Sequence, residues 1–545
     1  MNGEHALSPA AVLARYPAHI DTLPSLFAAR VAITPGAPAL RFDAREYSYA
    51  ELDLASSRFA EVLRQHGTLP GQLIACVAEN SDLMVVAFLA CAKLGAVFVP
   101  TNPALTAREL SFVLEHSKPA IILSSARNCA RLPALIDALE TRPVILALET
   151  YGLLATRTQD VLAELAGHAR GELTELPPVT PDTALVVVYT SGTTGHPKGV
   201  VHSHRNYVWA AEAFVDRMHL QPTERLLTVL PFFHINALFY SLGGALAAGA
   251  MLITTDGFSA SRFWDFATEV GATQFNTLAA VGSILCKRPR TEFNPRHRLR
   301  KIYGGPISAE VDAVFREEFG VPALIEGYGM SEIPGACNNP FDGPHKLGSI
   351  GVPARHPRLP MPFVAMQVQD DSGRELIDGD VGELAVQTPI AFHGYLHDAA
   401  QTAAAFRDGW FLTGDLVKRD SQGYFYFIAR KKDIIRVRGE NVAGAELDRV
   451  LGNHPGIAEV ATIGVPSELG DEDILVAIVA TDGPLAVADL VTWCADQLSA
   501  IKIPRYWVWV DELPHTPSHR VAKHFLKADK SLITRAFDRN TKRDG

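Results

Sequence analysis

The sequence predicts an α/β chain, a large multi-lobed amino-terminal region followed by a small α/β domain. Three observations carry this reading. Apolar strands alternate with helical runs between residues 71 and 148, a turn rich in glycine and hydroxyls follows an apolar run at 184–188, and 545 residues are too many for one core. At about 150 residues per domain, the length suggests roughly three or four lobes.

Residues 1–60 open with a helix-like stretch and a strand at Ala39–Phe42, and Ser48, three residues before Glu51, reads as a capping box. Gly71–Ala78 reads as a strand, Asp82–Leu94 as a helix and Gly95–Pro100 as a strand, a βαβ unit of a parallel sheet. A second unit has helices at Ala107–His116 and Leu132–Leu139 and strands at Ala120–Leu123 and Val144–Leu148. Residues 155–180 are polar and form a connector to the buried run Ala184–Val188. His202–Arg217 reads as a helix and Arg225–Leu230 as a strand. The 17-residue apolar run Ala237–Ile253, broken by Gly243, Gly244 and Gly249, reads as a buried helix and a strand. It is shorter than the roughly 20 residues that span a bilayer.

Lys431-Lys432-Asp433 is a charged break that divides residues 1–430 from 431–545. Beyond it lie a helix at Ala445–Leu451, strands at Ile457–Ile463 and Ile474–Ala480, and a helix at Val487–Leu498. The last dozen or so residues read as polar and frayed.

Composition narrows the function. Hydrophobic residues at 48% and charged residues at 20% are ordinary for a soluble globular chain. A net charge of −10 and a pI near 6.0 argue against nucleic acid or an anionic membrane as partner. No secretory leader is expected, because Glu4 and His5 interrupt the start and Pro9 follows. Cys76, Cys91, Cys129, Cys286, Cys337 and Cys494 lack C-x-x-C spacing, so neither zinc nor a disulfide framework is indicated, and a cytoplasmic location is expected.

The stretch Tyr189-Thr190-Ser191-Gly192-Thr193-Thr194-Gly195-His196-Pro197-Lys198-Gly199 carries the chemistry. Its glycines let the backbone come close to an anion, N–H groups and hydroxyls bind phosphate oxygens, and Lys198 supplies a mobile positive charge. The common nucleotide pattern G-x-x-x-x-G-K-[S/T] cannot be fitted to Gly192 through Gly199. Such clusters also serve as plain turns, so the weight falls on what lies downstream.

At Phe232-Phe233-His234-Ile235-Asn236, aromatics, a histidine and an amide at a strand-to-helix junction either line a pocket or belong to the core. Tyr303-Gly304-Gly305-Pro306 and Glu326-Gly327-Tyr328-Gly329-Met330-Ser331-Glu332 combine glycines against which a ring can lie flat with a tyrosine that can stack on a purine. Ser331 offers a hydroxyl for phosphate and Glu332 a hard oxygen for Mg²⁺. Gly382-Glu383-Leu384 and Gly394-Tyr395 follow. Asp415, on a tight Thr413-Gly414-Asp415 turn, can accept both hydroxyls of a ribose, which Arg430 can also reach.

In this order the segments closely resemble the adenylate-forming enzymes, which include acyl- and aryl-CoA synthetases, peptide-synthetase adenylation domains and beetle luciferases. The resemblance runs from about residue 20 to 530, and the acyl-CoA synthetase branch is the one it favours. It implies a large amino-terminal domain of packed sheets and a small mobile α/β domain. The implied reaction is R-COOH with ATP giving R-CO-AMP and pyrophosphate, followed by attack of CoA thiolate to give R-CO-SCoA and AMP.

Carried over residue by residue, Lys198 with Thr190, Ser191, Gly192, Thr193 and Thr194 holds phosphates. Gly304, Gly305, Pro306, Gly327, Tyr328 and Gly329 hold adenine, with Ser331 where relatives usually have Thr. Glu332 holds Mg²⁺, and Asp415 and Arg430 hold the ribose, with Phe427 also on the nucleotide. His234, Asn236, Tyr240, Leu278, Ala279 and Met330, with the glycines beside them, face the acyl group. The small residues in that set hint at a bulky apolar acid. Relatives that activate α-amino acids carry an Asp in the aromatic segment, and none of Phe232 through Asn236 is acidic, which disfavours an amino acid. Lys432 matches the hinge, and Arg438-Gly439-Glu440 the loop that forms the pantetheine channel.

The resemblance breaks near the end. The family expects Pro-x-Thr-Pro-x-Gly-Lys, whose lysine bridges the substrate carboxylate and the α-phosphate as charge develops. Here Pro514-His515-Thr516-Pro517-Ser518-His519-Arg520 puts His519 at the glycine position and Arg520 at the lysine position. A planar guanidinium does not replace a compact ammonium in a crowded bridge, and losing one such group costs roughly a hundred- to a thousandfold in rate. Two readings stand. Either Arg520, or Lys523 about one helical turn away, fulfils the role in a complete ligase, or adenylation is weak or absent and preformed acyl-AMP is passed to CoA.

The expected partners are a carboxylic acid or its adenylate, ATP, CoA and Mg²⁺, with no nucleic acid or membrane, and a second copy of the chain is admitted. A luciferase-like oxygenase, an acyltransferase to a carrier protein and a non-catalytic acyl- or AMP-binding relative would share the nucleotide motifs.

Overall fold

The structure is a computed structural model that describes residues 6–137, 139, 141–148, 158–160, 178–190, 197–437, 440–467, 471–483, 485–515 and 521–540. The chain packs as two compact units. One comprises Met1–Met366 with Val386–Phe411, the other Gln367–Ala385 with Leu412–Gly545.

The βαβ spacing at 71–148 builds the eight-stranded sheet of the first unit. Its order is Gly394–Tyr395, Lys198–Ser203, Ala184–Thr190, Val97–Thr101, Leu73–Val77, Ile121–Ser124, Val144–Ala147 and Thr158–Asp160. The strands from Ala184 outward run parallel, whereas Lys198–Ser203 pairs antiparallel with Ala184–Thr190 and with Gly394–Tyr395. Every residue of the helix Asp82–Leu94 is buried, as befits a crossover helix that is apolar all round. The connector expected at 155–180 contributes the strand Thr158–Asp160, and most of it lies outside the described residues.

The nine-stranded sheet runs Val352–Pro353, Ile333–Asn338, Ala323–Met330, Lys301–Gly304, Gln274–Asn276, Arg225–Thr228, Met251–Thr254, Pro38–Phe42 and Arg45–Ser48. Its six central strands are parallel and both margins are antiparallel. Ser48 and Glu51 form the expected capping box. The run Ala237–Ile253 is a π-helix, Asn236–Gly243, continued by the helix Gly244–Ala248 and the strand Met251–Thr254.

Two expectations are corrected. The helix expected at His202–Arg217 is His204–Met218, because Lys198–Ser203 is drawn into the sheet and Ser203 caps the helix by accepting from the Asn206 N–H. Within the last dozen or so residues, expected to fray, Phe537–Asp538 instead forms a strand in which Asp538 pairs with Arg505 at 2.9 Å, and 541–545 lie outside the described residues.

In the second unit a four-stranded sheet, Ile457–Pro466, Glu472–Ala480, Tyr506–Trp509 and Phe537–Asp538, separates two cores. Ile474, Val476 and Ile478 enter one with Leu447 and Leu490, and Leu475 and Ala477 enter the other with Leu526 and Leu532, the period of two that a strand imposes. The segment Ile434–Val442 is a hairpin of two strands, Ile434–Val437 and Glu440–Ala443.

An ionic knot pins the amino terminus of the first unit. Glu212, buried on the helix His204–Met218, accepts from Arg358 Nε at 3.0 Å and lies 3.1 Å from His19 Nε2, while Arg358 also reaches Asp21. Burial alone would raise its pKa, but hydrogen bonds from His19, His356 and Arg358 outweigh that and hold the carboxyl far below its usual range. A depressed carboxylate contributes stability above its unfolded pKa and loses it as pH falls toward the folded value. Glu212→Gln is expected to cost about 3–5 kcal/mol near neutral pH, the range for a broken buried pair, and to flatten the acid limb of stability. Thermal unfolding of wild type and variant across the acid range checks both.

Candidate active site

Ligands of open parallel sheets gather at the carboxyl ends of the strands. In the nine-stranded sheet these ends bring together residues far apart in sequence. Thr277 N donates to Tyr303 O at 2.8 Å, and Asn236, at the head of the π-helix, reaches Thr277 O at 3.4 Å. Asn276 Nδ2 donates to Asn236 Oδ1 and to Ser241 Oγ, both at 2.9 Å. His234 sits against the Phe233 ring at 4.6 Å, and Leu278 and Ala279 begin the helix that follows Asn276.

Glycine is required along this edge. A Cβ on Gly304 would lie 2.9 Å from Thr277 O, one on Gly305 2.6 Å from Gly327 O, one on Gly327 2.5 Å from the Tyr303 hydroxyl, and one on Gly329 2.5 Å from Gly335 N. Pro306 lies exposed just beyond, and Tyr328 and Met330 are partly buried in the strand Ala323–Met330, not in a turn. That strand forms a hairpin with Ile333–Asn338, and Ser331 and Glu332 are its tip.

Tyr240 is buried, its ring stacked on Phe214 at 5.3 Å and edge-on to Tyr303 at 5.5 Å. The guanidinium of Arg217 lies 5.3 Å from the Tyr240 ring centre, and it donates to Gly335 O and Asn338 Oδ1.

The phosphate-loop candidate closes between paired strands. Thr190 and Lys198 face one another at its neck, while Ser191, Gly192, Thr193 and Thr194 lie outside the described residues. The Lys198 ammonium stands 4.8 Å from the ring centre of Tyr395, whose hydroxyl donates to Glu332 Oε1 at 2.8 Å. Glu332 is buried, at 6% exposure. Its carbonyl accepts from Phe392 N at 2.8 Å, and the carbonyl before it, on Ser331, accepts from His202 Nε2 at 2.6 Å. Burial pushes the His202 pKa down to about 4, so the ring is neutral and Nε2–H is the donor. Asn206, beside His202, donates to the carbonyls of Ile390 and Ala391 at 3.1 and 2.6 Å.

In the second unit Asp415 and Arg430 are register partners on adjacent strands, Arg430 Nε 2.8 Å from Asp415 Oδ1 with Asp415 fully buried. Thr413-Gly414-Asp415 is not the tight turn expected: it lies inside the strand Trp410–Arg419, where Gly414 at φ +70° kinks the backbone. Asp415 N donates to Thr413 Oγ1 at 3.1 Å, which fixes the kink. Phe427 is 40% exposed, opposite Val417. Lys432 is exposed on the short turn Lys431–Asp433, and its neighbour Lys431 pairs with Asp371 and Glu383 at 2.8 and 2.9 Å. Glu440, itself exposed, opens the strand Glu440–Ala443, where Val442 and Ala443 are buried, and Arg438, Gly439 and Arg520 lie outside the described residues. Lys523 begins a helix and its ammonium lies 2.5 Å from Asp448 Oδ2.

Sequence reasoning assigned no role to Tyr395, His202, Asn206 or Arg217. Gly394-Tyr395 stood out only as a pair, and nothing local signals its contact with Glu332.

Two family models cover most of the chain: that of the AMP-binding enzymes matches residues 27–396, and that of the AMP-binding enzyme carboxy-terminal domain matches 446–520. The chain is 32% identical to an indoleacetate–CoA ligase of Aromatoleum aromaticum over 497 residues, covering 90% of this chain and 94% of that protein. It is 32% identical to the fatty acid–[acyl-carrier-protein] ligase ScoC of Streptomyces coeruleorubidus over 513 residues, 90% and 93% of the two. The crystal structure of ATP-bound MatB from Rhodopseudomonas palustris superposes with a TM-score of 0.82 at 29% identity, over 93% of this chain and 98% of that one.

Glu326, buried beside Gly305, is pushed up to about pKa 7 by burial, which outweighs the hydrogen bond from Ile307 N–H. A carboxyl raised above its unfolded value of 4.5 contributes stability in full below that value and loses it as pH rises through the folded one. The loss amounts to on the order of 3 kcal/mol. Glu326→Gln is expected to remove this decline, measured as unfolding free energy against pH, and an unchanged decline in the variant refutes the assignment.

Proposed function

The chain belongs to the family of AMP-binding enzymes, and on that premise we propose that it forms acyl-CoA thioesters through an acyl-adenylate and that its adenylation step is weak. The observation that supports the ligase reading is the meeting of Lys198, Tyr395 and Glu332 close to a glycine-built strand edge, a cationic and a hard-oxygen group that together suit a nucleotide polyphosphate.

In the proposed roles Lys198, Thr190 and the loop Ser191–Thr194 take phosphate oxygens. Gly304, Gly305, Gly327, Tyr328 and Gly329 take the adenine, and Asp415, oriented by Arg430, takes the ribose. Glu332 fits Mg²⁺, a cation that binds through one or two carboxylates together with substrate phosphates, and the ion would neutralise triphosphate charge. His234, Asn236, Leu278 and Ala279 face the acyl group, and small residues there suit a bulky apolar acid. The hinge is assigned to Lys432, with Arg438-Gly439-Glu440 on the path of the thiol.

Weak adenylation rests on the carboxy-terminal departure. Arg520 stands at the lysine position, and the neighbouring ammonium, Lys523, is engaged by Asp448. An arginine there supplies charge without the compact geometry of an ammonium. The thiol step needs no such bridge: the thiolate attacks the acyl carbonyl, the C–O bond to phosphate breaks, and AMP leaves as an anion held by the same nucleotide residues.

The test separates the half-reactions. Bulky carboxylic acids with ATP and Mg²⁺ are followed for pyrophosphate, and acyl-AMP of the same acids with CoA for thioester. Thioester without pyrophosphate is expected, and Arg520→Lys is expected to raise pyrophosphate release by about a hundredfold. Robust release by the wild type makes it a complete ligase. Thioester formation only with a phosphopantetheinyl carrier in place of CoA makes it a relative of ScoC in acceptor, and AMP binding without either reaction makes it non-catalytic.

A further inference from the structure

One short segment, Ile390–Leu396, touches both Lys198 and Glu332. Its backbone pairs with the strand that carries Lys198: His393 N donates to Val201 O at 2.8 Å and Leu396 N to Gly199 O at 2.7 Å. Through Phe392 N it also holds the Glu332 carbonyl, again at 2.8 Å. Between these anchors Tyr395 is fixed at its own backbone, where its N–H donates to Thr402 Oγ1 at 2.8 Å. Its side chain then does two things at once. The hydroxyl donates to Glu332 Oε1 at 2.8 Å, and the ring face receives the Lys198 ammonium at 4.8 Å.

We propose that Tyr395 is the positioning residue of the nucleotide site, its hydroxyl orienting the Glu332 carboxylate and its ring holding the Lys198 ammonium in place. The proposal rests on the reading of Glu332 and Lys198 given above. A carboxylate that accepts a hydrogen bond on one oxygen is fixed in rotation, so its other oxygen presents one direction to a cation, and second-sphere donors of this kind set ligand affinity. A lysine side chain has four rotatable bonds, and an aromatic face within about 6 Å of its ammonium attracts it without neutralising its charge. Tyr395 therefore keeps the attractive and the coordinating group in register before the polyphosphate arrives, and less ordering is left to the binding event.

Tyr395→Phe and Tyr395→Leu separate the two contacts. Binding of ATP is measured by calorimetry at a series of Mg²⁺ concentrations, and binding of AMP without Mg²⁺ serves as the internal reference. Tyr395→Phe keeps the ring, so it is expected to raise the Mg²⁺ concentration for half-maximal ATP binding by about tenfold and to leave AMP affinity within about twofold. Tyr395→Leu is expected to show the same Mg²⁺ shift and a further loss of about two- to fivefold in ATP affinity at saturating Mg²⁺. Wild-type Mg²⁺ dependence in Tyr395→Phe overturns the proposal, as does an equal loss of AMP and ATP binding, which marks a purely structural residue. Failure of the wild type to bind either nucleotide instead overturns the nucleotide-site reading, so the two failures are distinguishable.

Discussion

The close approach of four strand ends at the carboxyl edge of the nine-stranded sheet is the constraint on which the site depends. Parallel strands sit about 4.8 Å apart, and side chains at their ends normally fill the space above the edge. Here Gly304, Gly305, Gly327 and Gly329 carry no side chain, and a Cβ on any of them would meet atoms of a neighbouring segment within 3 Å. The edge is therefore built from closely packed glycine backbone. It can accept a planar ring, and the residues carried beyond it, Ser331 and Glu332, are delivered by the hairpin that those glycines allow to fold back.

A hairpin tip is mobile by default, so the position of Glu332 has to be imposed from outside the sheet that bears it. The imposition comes from the eight-stranded sheet. Its antiparallel margin, the strands Lys198–Ser203 and Gly394–Tyr395, supplies His202 to the Ser331 carbonyl and Tyr395 to the Glu332 carboxylate. The strand Lys198–Ser203, antiparallel to Ala184–Thr190, is thus the strand that carries both Lys198 and His202. Deep burial of His202 keeps it uncharged, so the donor stays in place through the neutral range, where a histidine in water would be changing charge.

The sequence displayed the parts whose signals are local. The capping box at Ser48, the βαβ spacing and the apolar helix Asp82–Leu94 depend on neighbours within one or two turns, and their boundaries fall close to expectation. Other features depend on partners hundreds of residues away. Residues 202–203 look helical in isolation but belong to a strand whose partners are Ala184–Thr190 and Gly394–Tyr395. Gly414 reads as a turn because glycine usually marks one, yet pairing with Phe425–Arg430 absorbs it into a strand as a kink that sets Asp415 opposite Arg430. The last dozen or so residues looked frayed because they are polar, yet tertiary packing gives Asp538 a partner in Arg505. Among the site residues, motif spacing picked out Lys198 and Glu332 but was silent about Tyr395, which joins them from 63 residues beyond Glu332.

The two ends of the chemistry answer to different physics. Holding a polyphosphate needs fixed charges, and in the proposed roles Lys198 and Glu332 supply them, both in contact with Tyr395. Stabilising charge that appears only as the acid attacks the α-phosphate needs, in the proposed function, a cation from the carboxy-terminal segment. There the two basic candidates differ. Asp448 is itself raised by burial, and the Lys523 ammonium counters that cost, so withdrawing Lys523 would leave a buried carboxylate without its cation. That coupling engages Lys523 within its own domain, which is why the proposed function rests weak adenylation on Arg520 and not on Lys523.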